Sequence, residues 1–186
     1  MTHPLTSPPK RICILRLSAL GDISHVLPTL RTLQHHWPDT RITWVIGKAE
    51  YALVREIRDV EFITFDKSAG LAAYFEVWRK LKQQRFDILL HMQLAIRASL
   101  LCWLIPANIK LGFDKTRARD LQWLFTNHKI EPASVRQHVV DSFLEFPKYF
   151  GLTPVMQWNL PVADAAMNNI EQLLAGDQTS HRHKKI

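Results

Sequence analysis

One carboxylate, Asp22, stands where an apolar run ends and a helix should begin: Ile12-Cys13-Ile14-Leu15-Arg16-Leu17 leads into Ser18-Ala19-Leu20-Gly21-Asp22. The far end of a first strand is where α/β sheets gather their ligands. A phosphate binder presents bare backbone N–H groups at such a helix start. This chain places an anion of its own there, which repels phosphate and suits a hydroxyl. Two roles fit Asp22. As a general base it would take the proton of an attacking hydroxyl; as an N-cap it would accept the helix's free N–H groups. The two are compatible. Gly21 is expected to supply a backbone conformation closed to other residues. Ser18 bonds either a ligand or the turn itself. His25 falls one helical turn past Asp22 on the same side. It would steady Asp22, touch a ligand, or serve as a structural histidine.

A second group of polar residues lies further along. Gln93 sits just past the fourth apolar run, Arg97 one turn into the next helical pattern, and Lys115, Arg117 and Arg119 in a later basic loop. Together they form a rim suited to carboxylates and phosphates, which arginine grips bidentately; otherwise they are a solvated basic loop. The histidines show no metal-ligand spacing, His35 and His36 being adjacent and His181 and His183 lying near the chain's end, so no metal is expected. Gly21 stands alone where a dinucleotide site would carry G-x-G-x-x-G, which argues against an oxidoreductase. Trp44, Trp78, Trp103, Trp123 and Trp158 are expected to pack in the core or on a face turned toward another domain.

These residues need elements to position them, and the elements alternate. Apolar β-type runs at Arg11–Leu17, Arg41–Ile46, Glu61–Phe65, Phe86–Met92 and Ile109–Phe113 are separated by helical patterns at about Asp22–His36, Ala49–Ile57, Leu71–Gln84 and Ala95–Ile105. Pro28 predicts a kink in the first helix and Gly47 a break after the second strand. Beyond Phe113 the pattern reads as a basic, aromatic loop leading to a short helix, then a helix at Ser134–Phe150, an extended stretch at Thr153–Pro161 and a last helix at Asp164–Leu174. Strand–helix alternation implies right-handed βαβ units: an α/β, Rossmann-like parallel sheet with helices on both faces. The 186 residues suit one ordinary domain. Residues 1–10 read as a flexible leader, 11–162 as the domain, and 163–186 as the start of a further helix with a polar, basic tail.

The balance of 24 basic to 17 acidic residues gives a net charge of +7, which favours anionic partners. No nucleic-acid motif accompanies that charge, so no nucleic-acid partner is expected. Cys13 and Cys102 fall in apolar runs and read as free core thiols of a reducing compartment. No hydrophobic signal core and no membrane-length apolar run is present, so a cytoplasmic protein is expected.

The string Leu15-Arg16-Leu17-Ser18-Ala19-Leu20-Gly21-Asp22-Ile23-Ser24-His25 resembles the opening of bacterial ADP-heptose:lipopolysaccharide heptosyltransferases, glycosyltransferase family 9. Ile42–Gly47 is similar to that family's second strand, and Arg85–Gln93 with Arg97-Ala98-Ser99 to its fourth strand and following helix. Leu111–Asp114 with Arg117-Ala118-Arg119 resembles its acceptor-side loop, and His138 recurs in the helix after it. The resemblance runs from about Arg11 to Leu160. It implies the N-terminal, acceptor-binding half of a two-domain GT-B enzyme, with Asp22 as catalytic base and Ser18, Gly21, His25, Gln93, Arg97, Lys115, Arg117 and Arg119 around the acceptor. The acceptor implied is a Kdo-lipid A type inner core of lipopolysaccharide, and the donor is ADP-heptose. The donor-binding half is expected to be missing and the chain inactive alone, with no cofactor and with peripheral contact to the inner face of the inner membrane. The alternative is a non-catalytic binding module for an anionic glycolipid or saccharide.

Overall fold

The computed structural model describes residues 5–118, 121–132 and 137–160. Its strands are β1 (Arg11–Leu15), β2 (Arg41–Gly47), β3 (Val60–Phe65), β4 (Phe86–His91), β5 (Ala107–Gly112) and β6 (His128–Lys129); its helices are α1 (Leu20–His36), α2 (Tyr51–Val54), α3 (Leu71–Leu81), α4 (Ile96–Leu104) and α5 (Val139–Tyr149). The six strands pair parallel throughout in the order β3-β2-β1-β4-β5-β6. The order reverses between β1 and β4, which makes the carboxyl ends of those two strands the switch point where such sheets bind ligands.

Alternation along the central strands builds two cores. Ile12 and Ile14 face one side with Trp44, Ile88 and Leu90, covered by Ile23, Leu27 and Leu30 of α1 and by Phe143 and Phe146 of α5. Cys13 and Leu15 face the other side with Val45 and Leu89, covered by Val77 and Leu81 of α3 and by Ala98, Leu101 and Cys102 of α4. Burial on both faces is why these strands read as continuous apolar runs rather than alternating ones. The chain therefore adopts the expected α/β, Rossmann-like fold with helices on both faces. Among the described residues, no helix is long and apolar enough to cross a membrane.

Several boundaries differ from the sequence reading. β1 ends at Leu15, because from Leu17 onward the backbone N–H groups bond a side chain beyond the sheet. Gly47 does not break β2; it is the last residue of that strand, in register with Phe65. A side chain cannot replace its hydrogen: a Cβ there would lie 2.3 Å from the Leu17 carbonyl oxygen and 2.2 Å from Glu50 Oε2. The second helix shortens to one turn. A two-residue strand, β6, closes the far edge, and a 3₁₀ turn at Gln122–Leu124 takes the place of the expected short helix. α5 begins at Val139, later than Ser134. α1 runs as one helix through Pro28, whose carbonyl accepts from Thr32 Oγ1 at 2.7 Å. The end of the expected leader is tied down: Pro9 and Lys10 carbonyls accept from Thr40 and Arg41. The last expected helix, Asp164–Leu174, and the basic tail lie outside the described residues, as does Arg119.

Gly47→Ala forces the β2 backbone away from the Leu17 carbonyl. We expect a loss of about 1–3 kcal/mol, the usual cost of overfilling a packed site, read as a melting temperature several degrees lower. An unchanged melting temperature would show that the strand end yields without strain.

Candidate functional site

The loops that leave β1 and β4 at the switch point are tied to each other. Met92 N–H donates to the Leu15 carbonyl at 3.1 Å. The side-chain oxygen of Gln93 accepts from the backbone N–H groups of both Leu17 and Ser18, at 3.0 and 3.2 Å. Gln93 is thus placed at the site as expected, but its carbonyl shapes the turn. The Ser18 hydroxyl makes no hydrogen bond among the described residues, and the Ser18–Ala19 peptide is cis.

Arg16 is the residue that the sequence reading passed over. It is almost fully buried at the end of an apolar run. Its guanidinium donates to Asp22 Oδ2 and, at 2.5 Å, to the Met92 carbonyl, and it lies 5.0 Å over the Phe143 ring of α5. Burial pulls its pKa down from the ordinary value while Asp22 opposes that pull; arginine stays charged regardless. The signal was present in the sequence, as a charge inside an apolar run six residues before the only nearby carboxylate.

Asp22 is not the N-cap of α1. Ala19 holds that position, and Asp22, three residues on, reaches back to accept from the Ala19 N–H at 3.3 Å. Alanine offers no acceptor in return, so only half of a capping box is made. Both bonds to Asp22 fall on Oδ2. Oδ1 has no partner among the described residues, and the side chain is 32% exposed. One oxygen is fixed and the other is open. Gly21 lies inside α1 with an ordinary helical backbone and nothing within 4 Å of where a Cβ would be. The special conformation expected of Gly21 is therefore not found.

His25 does not bond Asp22. It meets His138, the N-cap of α5, edge-on with ring centroids 5.7 Å apart, and its buried Nδ1 has no partner among the described residues. Arg97 and Lys115 are exposed, as a rim requires. Arg117 is not free for a ligand. It donates to Asp114 through Nε, to Gln137 Oε1 at 3.2 Å and to the Glu131 carbonyl at 2.8 Å, and it stacks on Phe113. Burial alone would raise the Asp114 pKa, but hydrogen bonds from Thr116 and Arg117 hold it below the usual carboxylate range.

Beneath the site, Gln122 is fully buried and bonds the carbonyls of His91 and Gln93 and the N–H of Phe113, joining the ends of β4 and β5. Nothing in the local pattern of Gln122-Trp123-Leu124 marks that role. His91 is also fully buried, with Nε2 3.2 Å from Ser99 Oγ. Burial, reinforced by the charges of Lys110 and Arg16, lowers its pKa to about 3. Among the described residues, no three His, Cys, Asp or Glu side chains converge as metal ligands would.

A histidine held neutral in the fold takes up its proton only on unfolding. Stability from His91 is therefore complete above its ordinary pKa near 6.5 and is lost as pH falls from there toward about 3. Urea titrations across that window should show the decline in the parent and a shallower one in His91→Gln. Equal slopes would remove His91 as its source.

Residues 74–184 match the family model described as glycosyltransferase family 9 (heptosyltransferase). The chain is 41% identical over 160 residues to the lipopolysaccharide core heptosyltransferase OpsX of Haemophilus influenzae, which covers 85% of this chain and 46% of that protein. A glycosyl transferase family 9 structure from Veillonella parvula superposes with a TM-score of 0.67 at 26% identity, over 77% of this chain and 42% of its own. The fold is also that of Escherichia coli heptosyltransferase WaaC, solved with ADP-2-deoxy-2-fluoro heptose: TM-score 0.68, 24% identity, 79% of this chain and 50% of that one. The chain spans about half the length of the curated relatives it matches, 46% to 54%. By its family match and its 41% identity to a core heptosyltransferase, the chain belongs to glycosyltransferase family 9.

Proposed function

We propose that residues 11–160 form the acceptor-binding half of a heptosyltransferase that builds the lipopolysaccharide inner core, with Asp22 as the general base. The observation that carries this reading is the divided carboxylate. Oδ2 is held by Arg16 and the Ala19 N–H, and Oδ1 has no partner among the described residues on a side chain that is 32% exposed. In inverting transfer, the acceptor hydroxyl oxygen bonds to the anomeric carbon of the sugar as the bond from that carbon to the leaving diphosphate breaks. The hydroxyl proton passes to Oδ1, and the nucleoside diphosphate leaves with the bonding pair. Arg16 does not touch the acceptor on this reading; it fixes the angle at which the carboxylate meets it. The donor, ADP-heptose, is held by residues outside 11–160, and no cofactor or metal takes part.

Recognition of the acceptor's anionic groups falls to the exposed cations Arg97 and Lys115, with Arg119 added as the family resemblance implies. Arg117 drops out of that set, because three internal acceptors already occupy its guanidinium. A non-catalytic module for an anionic glycolipid or saccharide uses the same rim, and the two readings part at Asp22.

Calorimetric titration with a Kdo-bearing lipid A acceptor should show Arg97→Ala and Lys115→Ala each weakening binding several-fold, while Asp22→Asn leaves it nearly unchanged. Arg117→Ala should act differently, lowering the melting temperature because the buried Asp114 loses its cation. In an acceptor-dependent assay of ADP release from ADP-heptose, run with whichever length of the protein sustains turnover, Asp22→Asn should lower kcat by about 10²–10⁴ with little change in the acceptor KM. Unaltered kcat would remove Asp22 as the base and leave the binding-module reading.

A further inference from the structure

Because every strand pair is parallel, all the strands begin on one edge of the sheet, opposite the edge that carries Asp22. That amino edge gathers positive charge. Arg11 opens β1, Arg41 opens β2, and the two are direct partners in the register. Partners in register send their side chains to the same face of the sheet. Two guanidiniums therefore stand on neighbouring strands, and like charges so placed repel unless an anion lies with them. Lys10 adds a third cation one residue earlier. None of the three side chains makes an ion pair among the described residues.

The three cations line a cavity of about 450 Å³, and Asp39 is the single carboxylate on its wall. Asp87 also comes close, but its Oδ2 accepts from the backbone N–H groups of Lys10 and Arg11, at 2.6 and 3.0 Å. Arg11 is steadied by neutral groups only: it donates to Gln84 Oε1 at 3.2 Å and lies 5.9 Å over the Phe86 ring. Its Nε is buried without an acceptor among the described residues. Lys10 and Arg41 are exposed, and their charged groups make no hydrogen bond among the described residues. The walls are preformed. Pro8, Pro9 and Pro38 line them with φ fixed by their rings. Thr40 Oγ1 donates to the Pro9 carbonyl at 2.6 Å and Arg41 N–H to that of Lys10 at 3.0 Å. The volume is that of a small-molecule site, and arginine with lysine is the donor set that grips phosphate.

We infer that this cavity is a second ligand site, which takes the phosphate group of a small phosphate monoester. Lys10 and Arg41 make the contacts, and Arg11 adds its charge. Bound phosphate supplies the anion that the Arg11–Arg41 pair lacks. The site is separate from acceptor recognition and does not rest on sugar transfer. The length of β1, roughly 13 Å at 3.3 Å per residue, divides the cavity from the carboxyl edge.

Titrating the 186-residue protein with glycerol phosphate and with inorganic phosphate, at ionic strength held constant with sodium chloride, tests the site. The melting temperature should rise along a saturation curve, and the backbone amide NMR signals of Lys10, Arg11, Thr40 and Arg41 should shift along the same curve. Tighter binding of glycerol phosphate supports a site for the ester; equal binding supports recognition through the phosphate alone. Lys10→Gln with Arg41→Gln should weaken binding by roughly ten-fold or more, since hydrogen bonds to a charged group are lost. The same variant, freed of repulsion, should melt above the parent when no phosphate is present. Arg97→Ala with Lys115→Ala should leave the titration as in the parent, which separates this site from the acceptor's rim. Three results would overturn the proposal: a parent with no saturable response, a response that survives in the Lys10, Arg41 variant, or a ligand-free variant that melts below the parent, because the cations are then structural.

Discussion

A buried guanidinium organises the switch point. Removing a full charge from water costs several kcal/mol unless the fold supplies partners, and Arg16 draws its partners from three places. Its own position is the end of β1; Asp22 comes from the first turn of α1, the Met92 carbonyl from the end of β4, and the Phe143 ring from α5. Satisfying one side chain therefore fixes the relative positions of a strand, two helices and the loop across the crevice. Parallel sheets usually leave their switch point open, because the connections on either side run in opposite directions. Here the connections diverge only after Arg16 and Gln93 have tied their first residues together. Asp22 thereby stands on a rigid support although it lies at a chain turn.

The layer beneath repeats that logic with neutral groups. Gln122 takes up the carbonyls of His91 and Gln93 and the N–H of Phe113, while Gln93 in turn accepts from Leu17 and Ser18. A glutamine carries donors and an acceptor on one planar group, so two of them bridge three strand ends without introducing charge. Buried polar networks of this kind are strong when every member is satisfied and costly when one is missing. His91 fits only as the neutral imidazole, since it is fully buried and Lys110 and Arg16 add positive charge nearby. The acid sensitivity of that histidine comes chiefly from its burial in this layer, with Lys110 and then Arg16 adding to it.

What could be read from the chain follows from what periodicity reports. The apolar runs at β1, β2 and β4 and the Leu27, Leu30, Leu33 stripe of α1 record burial, and burial is what the fold class depends on. Periodicity is silent about register. Gly47 looked like a strand breaker because glycine usually is one, yet it is needed where β2 passes the Leu17 carbonyl, a contact made across thirty residues. The two-residue β6 is too short to leave a pattern. The site was legible in residue type and not in use. Gln93 and Arg117 have the chemistry of ligand-binding groups, but the Gln93 side-chain oxygen is taken up by Leu17 and Ser18 and the Arg117 guanidinium by Asp114, Gln137 and Glu131. Only tertiary structure shows which donors remain.

The electrostatics of the switch point then bear on what it can hold. Arg16 alone at a helix start would invite a phosphate. Its charge is instead matched within the protein by Asp22, and the same carboxylate takes the Ala19 N–H. The centre presents no net charge and one free acceptor, Oδ1, which suits a neutral hydroxyl better than an anion. Cations that a solvent-facing anion could reach are Arg97, in the first turn of α4, and Lys115, in the turn that follows β5. On the function proposed above, an anionic acceptor would meet two different environments: a neutral, rigid centre where a proton can move, and a charged margin where affinity is gained without disturbing it. On that proposal, separating the two would keep the Asp22 carboxylate from competing with the acceptor's own negative groups for Arg16.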